Sequence, residues 1–273
     1  MTVCASWKKR RFSPVRRTFI RLFFFCIIAA LLLSGCRQRL GSTFREAELE
    51  ASPGVYRCRR VTSEIVIDGR LSDQAWKSAV PIRKWAFPWY RNGPKQGATA
   101  RLLWDNEALY LAADVEDSEL LGSVETTDER KVWHDERFEF YFDPDLADGV
   151  YRCWEFTTKK HKLDYESRWG RKFNFSWDTT GLEYAIRLDG TLNDDKSDRG
   201  YTIEARIPFK NNFERAPNLP PKPGDIWPLG INREDQYMKE GKKQYVLIMW
   251  KAPEVEKPDF HIPGAFGKMV FVK

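Results

Sequence analysis

Residues 133–144, WHDERFEFYFDP, constrain this chain more than any other stretch. Phe138, Phe140 and Phe142 alternate strictly with Arg137, Glu139, Tyr141 and Asp143. A period of two built on β-prone aromatics predicts a strand with one apolar and one polar face. Three phenylalanines on one face need a second layer to cover them, so this strand is expected at the centre of a two-layer β structure. The polar face carries a carboxylate and a phenol, and the indole of Trp133 stands just before the strand.

The start of the chain is of another kind. Lys8, Lys9, Arg10, Arg11, Arg16, Arg17 and Arg21 form a basic segment without an acid. An apolar run over 22–33 follows, too short to span a bilayer comfortably, and then Leu33-Ser34-Gly35-Cys36. That tetrapeptide resembles the bacterial lipobox. The resemblance implies a signal peptide over 1–35 and acylation of Cys36, palmitate being one such chain. The product would be an exported lipoprotein held on a membrane of the bacterial cell envelope, facing the periplasm or the surface. Two acyl chains would make that attachment durable where one is marginal. A short uncleaved membrane anchor is the alternative reading.

Charge and cysteine content change once this segment is set aside. Seven of the 45 basic residues and none of the 39 acidic ones precede Cys36, which leaves 38 basic against 39 acidic. The basic balance therefore belongs to the leader, and nucleic acid is not an expected partner. Cys4 and Cys26 leave with the leader, so Cys58 and Cys153 remain. In an oxidising compartment they are a candidate disulfide, or else a pair of buried free thiols. Residues 36–57 are polar and without apolar periodicity for most of their length and are expected to be a lipidated tether; the folded domain is expected over 58–273.

Within that domain, strands are expected at 64–68, 100–104, 108–115, 138–142, 151–158, 183–188, 201–207, 227–232, 245–250 and 268–272. Asp105-Asn106 reads as a hairpin turn, and 217–223, rich in proline, as a stiff connection. A short helix is expected over 71–80, capped by Ser72 and plugging the core with Trp76. Glu204 and Arg206 share the polar side of their strand at pairing distance. Many strands, hardly any helix and turn signals between them predict an all-β fold, a two-layer antiparallel β-sandwich of jelly-roll or immunoglobulin type.

The ordered set IDGRLSDQAW (67–76), ARLLWDNEALYLAADVED (100–117), VWHDERFEFYFDP (132–144), GYTIEARIPF (200–209), LGINRED (229–235) and PDFHIPGAFGKMVF (258–271) resembles carbohydrate-binding module family 9 and its relatives among DOMON-like sandwiches. The resemblance implies that an oligo- or polysaccharide is clamped between two aromatic rings. Those positions fall on Trp133 and on Phe260, where the family has a second tryptophan. It also implies hydroxyl contacts from Glu139 and Asn232, to which Arg233 and His261 are added as neighbours. An arginine and an asparagine of the family fall on Thr157 and Lys159. Stacking on each ring gives only about 1 kcal/mol at ~25 cal/mol per Å². Micromolar binding takes about 8 kcal/mol, so polar contacts must add much of it.

Other chemistry has weaker support. His134, His161 and His261 lack paired spacing for zinc. Calcium is not a requirement of the fold, but family members can bind it, with Glu116, Asp117 and Asp143 as candidate ligands and Asp145 and Asp148 nearby. No nucleophile elbow is present, and carboxylate pairs are too numerous to decide for or against a glycosidase. The fold resembled is usually a binding module attached to an enzyme, which implies a non-catalytic binder that supports polysaccharide capture or breakdown. Two alternatives stay open: a haem-binding electron-transfer sandwich using Met238, Met249, His134 or His261, and a surface lipoprotein that binds a protein partner.

Overall fold

The structure, a computed structural model, describes residues 54–125, 130–145, 147–168 and 171–273. The expected signal peptide, Cys36 and most of the tether lie outside the described residues. The strands, in chain order, are β1 (Val55–Arg60), β2 (Ala98–Trp104), β3 (Ala108–Glu116), β4 (Arg137–Phe142), β5 (Val150–Thr157), β6 (Lys162–Arg168), β7 (Lys172–Asn174), β8 (Glu183–Asp189), β9 (Gly200–Pro208), β10 (Ile226–Lys239), β11 (Lys242–Met249) and β12 (Gly267–Val272).

They join in one curled sheet, β7-β6-β5-β4-β10-β12-β1-β2-β3-β9-β8, with β11 added on β10. Strand β10 is where the sheet divides. One of its edges takes β4 at residues 229–234; the other takes β12 at 226–229 and then β11 at 232–239. The two halves fold over one another and share a single core. Phe138, Phe140 and Phe142 of β4 and Trp154 and Phe156 of β5 meet Leu109 and Leu111 of β3, Ile203 and Ile207 of β9 and Phe271 of β12. All three phenylalanines of β4 are fully buried, as the alternation requires. The all-β sandwich is therefore the fold. Among the described strands, the one departure from antiparallel pairing is β1, which runs parallel to both β12 and β2. No hairpin turn joins β1 to either neighbour, so nothing forces the opposite direction.

Local differences have local causes. Strand β1 starts at Val55, inside the stretch expected as tether, because Tyr56 and Cys58 reach the core in alternation with Arg57 and Arg59. The segment at 64–68 forms no strand; Ile65 instead packs beside Trp76 in a small second cluster. The helix shrinks to a 3-10 turn, Gln74–Ser78, because Leu71 sits at φ 54° in the left-handed region. Trp76 is buried as expected, and its Nε1 donates to Glu204 Oε1 at 2.7 Å. Glu204 also accepts from the backbone of Asp68 and Gly69, so it does not pair with Arg206, which turns to Glu183 and Glu107.

Cys58 and Cys153 are free and buried, so the candidate disulfide is not formed and the reading as buried free thiols stands. Cys58 points into the shared core, whereas Cys153 points to the opposite face of β5. Four strand steps of about 4.8 Å separate β1 from β5 along the sheet, far beyond the reach of a bridge.

Candidate functional site

The polar face of β4 is covered rather than open to water: Arg137 is 8% exposed and Glu139 not at all. Residues directly opposite in an antiparallel ladder share a face. Register therefore puts Glu139 beside Glu155 of β5 and Asn232 of β10, and Arg137 beside Thr157 and Glu234. Over this floor lie β7, the loop through Pro258–His261, and Trp133 from the 3-10 turn Arg130–His134. They enclose a cavity of about 300 Å³, lined by Trp133, Arg137, Tyr141, Glu155, Tyr165, Arg171, Phe173, Glu234, Leu247, Pro258, Asp259, Phe260 and His261. That volume lies at the small end of ligand pockets, which run about 300–1,000 Å³. Gly230 packs beneath the site, against Phe266 and Tyr141. A Cβ there would stand 3.1 Å from the Phe266 ring and 3.2 Å from Tyr141 Cβ, so a larger residue would push Phe266 back by a few tenths of an ångström.

One arginine holds the floor together. Arg137 Nε donates to Glu139 Oε1 at 2.6 Å and lies 3.1 Å from Glu155 Oε2; Nη1 lies 2.9 Å from Glu234 Oε2 and donates to the carbonyl of Trp133 at 2.6 Å. Tyr141 donates to Glu139 Oε2 at 2.5 Å, and Tyr165 donates to Glu155 Oε1 at 2.8 Å. Burial raises the Glu139 pKa, against the pull of Arg137. Burial first, and the Glu139 charge second, push Glu155 up to about 8. A half-buried imidazole completes the back wall. His261 stacks on Tyr141 with centroids 5.2 Å apart, and its Nδ1 lies 2.8 Å from the Tyr151 hydroxyl. Burial, with Arg171 second, lowers its pKa to about 3, so the ring is neutral at ordinary pH.

The aromatic walls come from three places. Trp133 is half-buried; its Nε1 donates to His134 Nε2 at 3.1 Å, and Phe175 meets its ring edge-on at 5.7 Å. Phe173 is half-buried, with the Arg171 guanidinium 5.7 Å from its centroid. Arg171 also pairs with Asp259, whose Oδ1 accepts from the His261 backbone at 2.8 Å and so shapes the loop. Phe260 is only 6% exposed and belongs to the cluster that supports the cavity.

The residues expected from sequence thus part company. Trp133, Phe260 and His261 line the cavity, although Phe260 offers little open ring. Glu139 lies beneath Arg137, and Asn232 is buried on the same face with neither amide atom hydrogen-bonded. Arg233 is elsewhere, which corrects its expected role. It points to the interior with its ladder partner Phe138, and its Nη2 sits 2.8 Å from Asp117, 3.2 Å from Glu136 and 2.8 Å from Asp235. Thr157 is buried outside the cavity lining, and Lys159 pairs with Glu125. Sequence reasoning missed Glu155, Tyr165, Phe173 and Glu234, and it gave Arg137 no role. Leu163, Tyr165 and Ser167 do alternate with charged residues on β6, a signal of the same kind as that of β4.

Two further expectations fail on geometry. Glu116, Asp117 and Asp143 cannot hold one calcium ion. Asp117 meets Arg233, whose ladder partner is Phe138, while Asp143 lies five residues along β4, roughly 17 Å away. The buried Asp117, Glu136 and Asp235 do converge, but on the Arg233 guanidinium. The haem reading fails because aromatic side chains fill the space between the layers, while Met238 and His134 are exposed and Met249 faces the other way, under the cavity.

Comparison with known proteins adds the family. The model of the carbohydrate family 9 binding domain-like family matches residues 67–273. Endo-1,4-beta-xylanase A of Thermoanaerobacterium saccharolyticum is 25% identical over 189 residues, which is 69% of this chain and 14% of that protein. The chain thus spans a small part of that relative's length. A carbohydrate-binding module of family 9 from Caldicellulosiruptor kristjanssonii, solved with cellotriose, superposes with a TM-score of 0.55 at 16% identity, over 80% of this chain and 93% of that one. The module from the same organism solved with glucose gives 0.52 at 18% identity, over 79% and 95%. A protein of Bacteroides uniformis gives 0.62 at 15% identity, over 81% and 100%. The structural likeness concerns the fold, and the family match carries the assignment: the chain belongs to the carbohydrate family 9 binding domain-like family.

Proposed function

We propose that the cavity over β4 binds a saccharide, without catalysis, and that Trp133 and Phe173 supply the stacking faces. The observation that carries this reading is the cavity itself: half-buried aromatic walls stand over a floor of ordered carboxylates and an arginine. A pyranose needs both, an apolar surface against its C–H face and fixed polar atoms around its rim. The cellotriose and glucose complexes of the structural relatives support the choice of ligand class. Phe173 takes the place expected of Phe260, because its ring is the more open of the two. In this reading Glu155, Glu234 and Asp259 read hydroxyls, while Glu139 and Asn232 set the floor beneath them.

The binding role extends to the whole protein. Lipidation at Cys36 would hold the module on a membrane of the cell envelope and keep captured polysaccharide near enzymes that degrade it. The support is the acid-free basic leader and the lipobox-like tetrapeptide. Titration calorimetry with cellotriose and glucose tests the binding reading: saturable heat is expected, with no reducing ends released on long incubation. Absence of binding to neutral and charged oligosaccharides alike would overturn it. Metabolic labelling with a fatty acid tests the anchor, which fails if Cys36→Ser is labelled as strongly as the natural chain.

A further inference from the structure

We propose that Tyr245 of β11 is a second stacking platform outside the cavity, which takes the next unit of a bound oligosaccharide and so makes the site prefer chains over single sugars. This rests on the reading of the cavity as a saccharide site and adds the length of its ligand. Register places the ring. Glu234 and Leu247 are ladder partners and both line the cavity, so the face of β10 and β11 that they share is the cavity's own. The next pair on that face is Gln236 and Tyr245, a two-residue step of about 6.8 Å further along the strands.

Coverage along that face changes at the cavity. Asn232 and Met249, the pair before Glu234 and Leu247, are 1% and 3% exposed. Glu234 and Leu247 are half-buried. Beyond them Tyr245 is 64% and Met238 43% exposed, although Gln236 between them is buried. Of the two directions along these strands, only the one over Tyr245 is open, so a chain too long for about 300 Å³ leaves across this ring. Gln236 ties the open end to the first aromatic wall. Its Nε2 donates to the carbonyl of His134 at 3.0 Å, in the turn that carries Trp133, and to Glu234 Oε1 at 2.9 Å. The turn of Trp133 and the strand of Tyr245 thus meet at one fixed residue.

Single exposed apolar side chains are ordinary on a protein surface, and exposure alone assigns nothing to Tyr245. Its place does. Among the described residues it is the one aromatic ring that lies mostly in water, and it stands one step beyond a cavity whose walls are aromatic. A phenol suits the role, because its ring face covers the C–H side of a pyranose while its hydroxyl end remains solvated. Partial cover of one ring face corresponds to about fivefold in affinity. The gain is open only to a ligand that fills the cavity and extends past Leu247, so a single sugar does not share it.

The test is calorimetry of the full chain, in detergent, with two pairs of sugars, glucose against cellotriose and xylose against xylotriose, on the natural protein, Tyr245→Ala and Tyr245→Phe. In at least one pair the trimer should bind the natural protein about fivefold or more tightly than the monomer. Tyr245→Ala should remove that lead by weakening the trimer alone, with monomer affinity and melting temperature unchanged, since the ring is 64% exposed. Tyr245→Phe should keep the lead, because stacking needs the ring and not the hydroxyl. A lead that survives Tyr245→Ala, or monomer and trimer binding the natural protein equally in both pairs, would overturn the platform and leave the saccharide reading in place. Chemical cross-linking of the same samples covers the other occupant of an open face: a dimer lost in Tyr245→Ala, with sugar affinities unchanged, would assign the ring to a second copy of the chain and overturn the platform. Binding of none of the four sugars would overturn both readings.

Discussion

Arg137 and Arg233 make an instructive pair. Each is buried, and each meets three carboxylates: Glu139, Glu155 and Glu234 for the first, Asp117, Glu136 and Asp235 for the second. They sit on the same two paired strands, one residue apart in register, with Arg137 opposite Glu234 and Arg233 opposite Phe138. That single step puts them on opposite faces of the sheet. Around Arg233 the interior closes completely, and the charges serve to join β10 to the segments at Asp117 and Glu136. Over Arg137 there is a cavity with aromatic walls. The same set of charges is a structural clasp in one place and a binding floor in the other; what covers the cluster makes the difference.

The largest expected effect separates the two directly. Arg233→Met should leave three buried carboxylates without their cation and cost about 3–5 kcal/mol of folding stability. Urea unfolding checks it. A stable variant that has lost only saccharide binding would erase the distinction.

Trp133→Ala should do the reverse, weakening saccharide binding by roughly 2–4 kcal/mol, as expected for an interface anchor, with the melting temperature nearly unchanged. Calorimetry and a thermal melt on one preparation decide it. Unfolding of this variant would make Trp133 a core residue.

A finer contrast concerns the two phenylalanines. Phe173→Ala should weaken binding by ~1 kcal/mol, the share of one stacking face, with a small change in stability. Phe260→Ala should instead destabilise the fold by about 2–3 kcal/mol, since its ring is 6% exposed within an aromatic cluster. If Phe260→Ala melts normally and binds poorly, the family's second clamp position is in use here after all.

The smallest effect is on pH dependence. Glu155 has its pKa raised to about 8 in the folded chain, so between its ordinary range and pH 8 the folded state holds a proton that the unfolded state has released. Stability contributed by this group is therefore present at low pH and lost as pH rises toward 8. His261, lowered to about 3, works in the opposite sense, but only below its ordinary value near 6.5. Between pH 6.5 and 8 the glutamate acts without it, and unfolding free energy should fall by on the order of 1 kcal/mol. Glu155→Gln should flatten that slope in urea titrations at several pH values; an unchanged slope would assign it to another group.

The alternation of β4 was legible in the chain, and with it the fold class, the buried phenylalanines and the placing of Arg137, Glu139 and Tyr141 on a second face. Trp76 was legible as a core plug. One error was also legible: Asn232 and Arg233 are adjacent on a strand, so a period of two forbids both from reaching one ligand. Strand β7 was not, because three residues, Lys172–Asn174, carry no periodic signal.

What the sequence determined by itself, then, was local: which side chains share a face of a strand, and which residues end it. The family resemblance added the order of the pieces and the position of Trp133. Only the tertiary structure decided what lies over each face. Phe173, Glu155 and the loop at 258–261 reach the β4 floor from distant parts of the chain, and their approach fixes which rings stay open and which arginine borders a cavity. The physical reason is that alternation is a property of one backbone, whereas coverage depends on packing between segments that have no local sequence relation.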